Sequence, residues 1–152
     1  MAGRIRKMER QDLEKVCTIY KDANKFSQKH NIMKWTLESL RDFPEYHIVY
    51  EVEGNVLGAV SCTLCRNQAM IEDIAVDPNL RCRGIGSRLM RRIIAMLKKK
   101  GIRKVSVWTH WASARAIPFY YRHGFKMKRV SRTHKIPHVP DDEDIVFLDR
   151  AI

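Results

Sequence analysis

The sequence lacks a long hydrophobic run: no stretch of about eighteen consecutive apolar residues occurs in the chain, so no membrane-spanning helix is predicted. The N-terminal stretch MAGRIRKMERQ has no apolar segment of the kind that a secretory signal carries. The four cysteines show no disulfide-type spacing, which is typical of a reducing compartment. We therefore expect a cytoplasmic protein. Hydrophobic residues make up 45% of the chain, which excludes a disordered protein and predicts one domain over residues 1–152.

Paired metal-binding cysteines are also missing. Cys62 and Cys65 form a lone CxxC pair inside a segment with strand character, and no second pair accompanies them. Residues three apart on a strand lie on opposite faces, so the two sulfurs would not converge on one ion. We predict no metal site.

Acidic residues are absent from residues 81–140, which contain seventeen lysines and arginines and so carry a charge of +17. The whole chain carries +12, so the flanking segments are slightly acidic. A concentration of one sign favours a polyanionic partner, either a phosphate-rich cofactor, a nucleic acid or an acidic protein. The alternative is a solvated basic surface.

Hydrophobic periodicity predicts a mixed α/β fold in which helices pack on a sheet. The predicted strands are 4–10, 46–52, 56–65, 69–76, 102–109, 125–132 and 144–151, and the predicted helices are 11–26, 36–43, 85–101 and 114–123. Thr36 is a candidate N-cap of the second helix, and Pro44 would end it. Pro118 predicts that the last helix begins late or kinks.

The stretch RCRGIGS, residues 81–87, lies between a predicted strand and an amphipathic helix. Glycine lets the backbone approach a ligand closely, and the first amides of the helix have no intrahelical partners. The helix dipole and the two arginines add positive charge. These features predict a phosphate site. The stretch is neither a dinucleotide fingerprint, since Leu89 stands where a third glycine would be needed, nor a Walker loop.

Three motifs resemble the GNAT superfamily of acyl-CoA-dependent N-acetyltransferases. The first is Arg81 to Gly86, which matches the pyrophosphate loop [Q/R]-x-x-G-x-[G/A]. The second is EDIAVDP (72–78), which looks like the fourth strand of that family. The third is ARAIPFYYRHGF (114–125), which matches A-x-x-x-Y-x-x-x-G-F. The resemblance implies a mixed sheet of six to seven strands flanked by about four helices.

The same resemblance implies acetyl-CoA as cosubstrate and assigns residues to it. Backbone groups near Ile74, Ala75 and Val76 would pair with the pantetheine arm. The pyrophosphate would be held by the loop residues Arg81, Cys82, Arg83, Gly84, Ile85, Gly86 and Ser87. Ser113, Ala116 and Tyr120 would lie beside the pantetheine. Ser113 replaces an asparagine of the family pattern, so its reach is shorter.

The resemblance also implies catalytic roles. An amine with a pKa of about 10.4 must lose a proton before it attacks a thioester, and the departing thiolate needs a proton. Tyr120 would donate to the sulfur, or else be an ordinary aromatic core residue. Glu72 would be the base, as in polyamine acetyltransferases with a similar LED stretch, with Asp73, His110 or a water chain as alternatives. Strand alternation predicts Glu72 and Asp73 on opposite faces of the sheet.

These assignments predict an N-acetyltransferase that acts on a primary amine by direct attack in a ternary complex. The acceptor could be a protein N terminus, a lysine, a polyamine or an amino sugar. The alternative is a non-catalytic acyl-CoA-binding or nucleic-acid-binding module. By resemblance, the acceptor region contains Phe26, His30, Trp35, Tyr46, His134, His138 and the carboxylates of 140–144. A homodimer through the C-terminal strands is a further expectation.

Overall fold

A computed structural model describes residues 2–23, 31–131 and 144–152. This part of the chain contains seven strands and four α-helices: β1 (Arg4–Lys7), α1 (Leu13–Ala23), α2 (Ile32–Asp42), β2 (His47–Val52), β3 (Asn55–Cys65), β4 (Gln68–Val76), α3 (Ile85–Lys100), β5 (Lys104–His110), α4 (Ala116–Arg122), β6 (Lys126–Ser131) and β7 (Ile145–Ala151). The predicted order of elements is confirmed. None of the described helices is both long and apolar enough to cross a membrane.

The strands form one sheet in the order β1-β2-β3-β4-β5-β7-β6, in which β4 and β5 are parallel and the other neighbours are antiparallel. Helices α3 and α4 pack on one face, where Leu89 and Tyr120 belong to the larger core. Helices α1 and α2 pack on the other face, where Tyr20 and Leu40 belong to a second core. The mixed sheet expected from the sequence is therefore confirmed.

Helix α3 follows the sequence pattern closely. Its buried residues recur every three to four positions, and Leu89, Ile93 and Leu97 are completely inaccessible to solvent. Gly101 ends the helix with a φ of 91°, a left-handed conformation that glycine adopts without strain. The loop before α3 is thus anchored to a rigid element.

Helix α2 begins four residues earlier than predicted. Asn31 occupies its N-cap position, so the prediction of Thr36 as the cap is wrong. Thr36 lies inside the helix and is 4% exposed, because the buried stripe of Ile32, Thr36 and Leu40 extends farther toward the N terminus than the polar sequence suggests. The helix ends at Asp42, before Pro44, as predicted.

Helix α4 begins at Ala116, two residues later than predicted, which agrees with the expected effect of Pro118. Pro118 then lies in the first turn of the helix. There its missing amide proton causes little loss, since first-turn amides have no intrahelical acceptor.

A β-bulge interrupts the pairing of β3 with β4 where Glu72 meets Asp73. The register passes from Cys62↔Ile71 to Ser61↔Asp73. Ile71 and Ile74 consequently both pack on the α3 side of the sheet, although they are three residues apart. The two carboxylates between them lie together on the α1 side, so the prediction of opposite faces is wrong because it assumed an uninterrupted strand.

Candidate functional site

The parallel strands β4 and β5 separate toward their C-terminal ends. Their pairing runs from Gln68↔Lys104 to Ile71↔Val107 and stops there. However, β4 continues to Val76 and β5 to His110. A gap therefore opens in the middle of the sheet, and it exposes one edge of the second half of β4.

The register with β3 shows which backbone groups of β4 line this gap. Asp77 N donates to Leu57 O at 2.8 Å, so Asp77 turns its backbone toward β3. Hydrogen-bonding direction alternates along an antiparallel pair, which turns Ala75 toward β3 and leaves Ile74 and Val76 facing the gap. These two residues can pair with an extended, amide-containing chain. In this register the backbone of Ala75 pairs with β3, so the proposed pairing with such a chain falls to its two neighbours.

The loop before α3 adopts two left-handed conformations in close succession. Cys82 has a φ of 61°, and Gly84, at the N-cap of α3, has a φ of 81°. No atom lies within 4 Å of the position where a Cβ on Gly84 would stand. The free amides at the start of α3, from Ile85 to Ser87, can therefore be approached closely by an anion. A diphosphate fits this loop.

The first turn of α3 lies against α4 and the end of β4. A Cβ on Gly86 would be 3.4 Å from the ring of Phe119 and 3.7 Å from the side chain of Val76. The phosphate loop and the gap beside β4 are therefore adjacent. One elongated ligand can occupy both.

Arg81 has a different environment from the one that the sequence suggested. Its guanidinium pairs with Asp22 of α1 at 2.6 Å, and its Nε donates to Val76 O at 3.3 Å. The side chain ties the loop to α1 and to the end of β4, so it positions the loop as well as adding charge. Arg83, in contrast, is exposed.

His123 is a neighbour of the loop that sequence reasoning missed. Its Nε2 shares a hydrogen bond with the Ser87 hydroxyl at 3.0 Å, and its ring lies 4.7 Å from the ring of Phe119. Burial, and then the positive charge of Arg91, lower the pKa of His123. The neutral ring thus links the C-terminal end of α4 to the first turn of α3. The position of His123 directly before Gly124, in the HGF motif, is the sequence feature that could have indicated this role.

Tyr120 is 6% exposed and sits on α4 between two aromatic rings. The rings of Phe119 and Phe125 each lie 5.6 Å from it in edge-on contact. Burial, and then the negative charge of Asp73, raise the pKa of Tyr120 above its ordinary value of 10.0. The hydroxyl therefore remains protonated at neutral pH and can donate a proton or a hydrogen bond.

Glu72 and Asp73 have different surroundings on their shared face. Thr63 Oγ1 donates to Glu72 Oε1 at 2.8 Å, and the Glu72 side chain is exposed. Asp73 is half-buried and lies opposite Ser61, whose hydroxyl bonds that of Tyr20 at 2.8 Å. The charge of Asp73 also raises the pKa of Tyr20, after the larger effect of burial. Asp73 is thus close to a tyrosine on each side of the sheet.

The remaining predicted residues fall at the C-terminal end of β5. Ser113 N donates to His110 O at 3.0 Å in the turn that leads to α4, and Ala116 is the first residue of that helix. His110 is 6% exposed and stands edge-on to Trp108, with 6.2 Å between ring centroids. Ser113 and Ala116 thus belong to the connection that leads from the C-terminal end of β5 to Tyr120.

Part of the predicted acceptor region lies outside the described residues, namely Phe26, His30, His134, His138 and residues 140–143. Trp35 is half-buried on α2, and Tyr46 is buried at the start of β2. Trp35 therefore lies on the α1 side of the sheet, where Glu72 and Asp73 also lie, whereas Tyr46 belongs to the core on the α3 side.

Comparison with known proteins identifies this arrangement. A family model described as the Acetyltransferase (GNAT) family matches residues 7–125. The chain is 34% identical over 140 residues to an N-acetyltransferase of Methanocaldococcus jannaschii, MJ1207, covering 83% of this chain and 62% of that protein. It therefore spans about three fifths of that relative. It is 24% identical to a putative [ribosomal protein bS18]-alanine N-acetyltransferase of Bacillus subtilis, covering 95% and 92% of the two chains.

Solved structures agree with these relatives. Ard1 from Thermoplasma volcanium superposes with a TM-score of 0.89 at 25% identity, covering 100% of this chain and 99% of that one. The PaiA N-acetyltransferase from Thermoplasma acidophilum, solved in complex with coenzyme A, superposes with a TM-score of 0.80 at 17% identity over the whole of both chains. The fold expected from the three sequence motifs is confirmed.

Proposed function

Since the chain belongs to the acetyltransferase (GNAT) family and acetyl-CoA is its cosubstrate, we propose that it acetylates the N-terminal amine of a polypeptide by direct attack in a ternary complex. The observation that carries the proposal is the gap between β4 and β5, with Tyr120 on one side of it and the Glu72–Asp73 pair on the other. The relative named as a putative [ribosomal protein bS18]-alanine N-acetyltransferase supports the choice of a polypeptide acceptor.

The cosubstrate would lie along the two adjacent features described above. Backbone groups of Ile74 and Val76 would pair with the pantetheine arm, as a neighbouring strand would. The amides at the start of α3, behind Gly84, would hold the pyrophosphate, with Arg83 as an additional charged donor. Acetyl-CoA supplies an activated acetyl thioester at the end of the pantetheine arm.

Tyr120 is the proposed proton donor to the departing sulfur. Burial keeps its hydroxyl protonated, and α4 fixes the ring between Phe119 and Phe125. Such a donor typically contributes about 10²–10⁴-fold to the rate. The packing of the ring holds the hydroxyl in one orientation, so no rearrangement is needed during the reaction.

Glu72 is the proposed acceptor of the proton that the amine must lose. Its carboxylate is exposed to solvent and is oriented by the Thr63 hydroxyl, so it can act directly or through a water. Asp73 lies on the same face and is the alternative acceptor. Two carboxylates side by side also attract a cationic amine before it is deprotonated. They equally suit a polyamine, which is the second candidate acceptor.

An acceptor panel tests this proposal. The full chain and acetyl-CoA are incubated with three acceptors: a peptide with a free N-terminal alanine, the same peptide with a blocked N terminus and one internal lysine, and spermidine. Thiol release and intact mass are measured. We expect acetylation of the free N-terminal peptide, with kcat/KM at least about tenfold above the other two. Faster reaction with spermidine or with the blocked peptide would reject the N-terminal acceptor.

A further inference from the structure

Helix α3 carries a strip of positive charge on its solvent-exposed side. Five of its six exposed cations, Arg88, Arg91, Arg92, Lys98 and Lys99, fall within an arc of about 120° on the helical wheel, opposite the buried stripe, and Lys100 lies outside this arc. We call these five residues the basic face. At 1.5 Å per residue it is about 17 Å long.

Among the described residues, no carboxylate lies within ion-pair distance of the basic face. Among the described residues 81–131, the cations within ion-pair distance of a carboxylate are Arg81, which pairs with Asp22, and Lys104, which pairs with Asp149. Arg88 bonds the neutral groups Tyr50 Oη and Gly3 O. The basic face is therefore available to an external anion.

Helix stability does not explain these charges. Arg88 stands three and four residues before Arg91 and Arg92, and like charges at these spacings each destabilise a helix by about 0.2–0.5 kcal/mol. Lys98 and Lys99 complement the helix dipole, but the three arginines lie too far from the C terminus to do so. A bound polyanion would remove the repulsion.

The cosubstrate does not account for the basic face either. Its pyrophosphate would sit at the first amides of α3, whereas Lys99 lies about three turns farther along the helix. A small ligand with phosphates at one end of α3 cannot reach the other end. The partner must be extended and carry many negative charges.

We propose that the basic face binds the phosphate backbone of single-stranded RNA. A phosphate backbone presents regularly spaced charges over the whole length of α3, and arginine binds phosphate through paired donors. Two exposed aromatic side chains lie on helix α4 or just before it, and α4 packs on the same face of the sheet as α3. Tyr121 of α4 is 47% exposed and Trp111 is 56% exposed, and such rings stack on unpaired bases. A run of carboxylates would offer the negative charge but no planar bases to stack on these rings.

The choice of RNA over DNA rests on the proposed function. Polypeptide N termini first become available where polypeptides are made, on RNA-rich particles. An enzyme that binds RNA through the face opposite its acceptor side would keep Glu72 and Asp73 turned toward the emerging chain. The basic face itself does not depend on which amine is acetylated.

Fluorescence anisotropy with a labelled single-stranded RNA oligonucleotide tests the proposal. The full chain is titrated at salt concentrations from about 50 to 200 mM, with CoA in excess so that the cofactor site is occupied. The test variant is Arg91→Gln/Arg92→Gln/Lys99→Gln. The matched control, Lys21→Gln/Lys34→Gln/Arg41→Gln, removes three exposed cations from α1 and α2 on the other face. Competitors are single-stranded DNA of the same sequence and polyglutamate.

We expect the unmodified chain and the control variant to bind RNA with the same affinity. The test variant should bind RNA at least about tenfold more weakly at 100 mM salt. A plot of the logarithm of its association constant against the logarithm of the salt concentration should also be less steep, by about 2 in slope, because each of the three lost phosphate contacts accounts for about 0.7. Three results would overturn the proposal: equal loss in both variants, no RNA binding by the unmodified chain with CoA present, or equal binding of DNA or polyglutamate.

Peptide acetylation by the test variant should equal that of the unmodified chain, because none of its three sites belongs to the cofactor or acceptor machinery. This separates the two proposals. If no form acetylates a peptide but RNA binding behaves as expected, the proposed acceptor fails and the RNA-binding surface stands.

Discussion

Replacing Tyr120 by phenylalanine removes one oxygen and leaves the ring packed as before. The aromatic contacts with Phe119 and Phe125, at 5.6 Å each, do not involve the hydroxyl. No described residue hydrogen-bonds this hydroxyl, so its loss leaves no buried group without a partner. We therefore expect Tyr120→Phe to unfold at the same denaturant concentration as the unmodified chain.

The expected effect on catalysis is large. If Tyr120 protonates the departing sulfur, kcat should fall by about 10²–10⁴-fold, which corresponds to about 3–5 kcal/mol of transition-state stabilisation. The affinity for CoA should not change, because the proposed cofactor contacts come from β4 and α3. Burial raises the pKa of Tyr120 above its ordinary value, so no alkaline loss of activity from this residue is expected below pH 10.

The assay is steady-state thiol release with saturating peptide, together with CoA binding by calorimetry. Tyr121→Phe is the matched control, since Tyr121 is the adjacent residue but is 47% exposed, and it should retain full kcat. Tyr120→Ala should in addition lose about 3–5 kcal/mol of stability through the cavity it creates. If Tyr120→Phe keeps more than about a third of kcat while binding CoA normally, the proton comes from another donor and the assigned role is wrong.

Three further predictions concern the carboxylates, the phosphate loop and a buried histidine. Glu72→Gln should lower kcat for thiol release by at least about tenfold, whereas Asp73→Asn should keep more than about a third of kcat; the reverse result would make Asp73 the base. Gly84→Ala should raise the KM for acetyl-CoA at least about tenfold with kcat retained, because its Cβ would enter the phosphate site. Gly54→Ala, which has the same φ of 81° in the turn between β2 and β3, should not change KM, and an equal change in both would mean that backbone strain alone is responsible. Burial lowers the pKa of His47 from 6.5 to about 4, so the unfolded chain binds a proton at this residue more readily than the folded chain. The stability that this residue contributes above pH 6.5 is therefore lost as the pH falls toward 4. Between pH 7 and pH 4, the free energy of unfolding measured in urea should fall by about 3 kcal/mol less for His47→Gln than for the unmodified chain. An identical fall in both would contradict the burial argument.

The sequence determined those features that depend on local pattern. The amphipathic repeat of α3 predicted its buried stripe and its end at Gly101, because helix periodicity and a left-handed glycine are properties of consecutive residues. The motif around Arg81 to Gly86 predicted a glycine-containing turn before α3 for the same reason, and Gly84 is the N-cap of that helix. The order of strands and helices followed from alternating hydrophobic periods, and the family could be identified from three short motifs.

The tertiary structure decided what depends on pairing between distant segments. The bulge opposite Ser61 places Glu72 and Asp73 on one face of the sheet. The hydrophobic pattern of the sequence does not indicate this bulge, so it predicts simple alternation of the two side chains. The separation of β4 from β5 and the Arg81–Asp22 pair likewise arise from contacts between residues far apart in the chain. Strand register and ion pairing depend on how whole helices and strands pack. The local sequence therefore supplies the chemical groups, and the fold decides which of them come into contact.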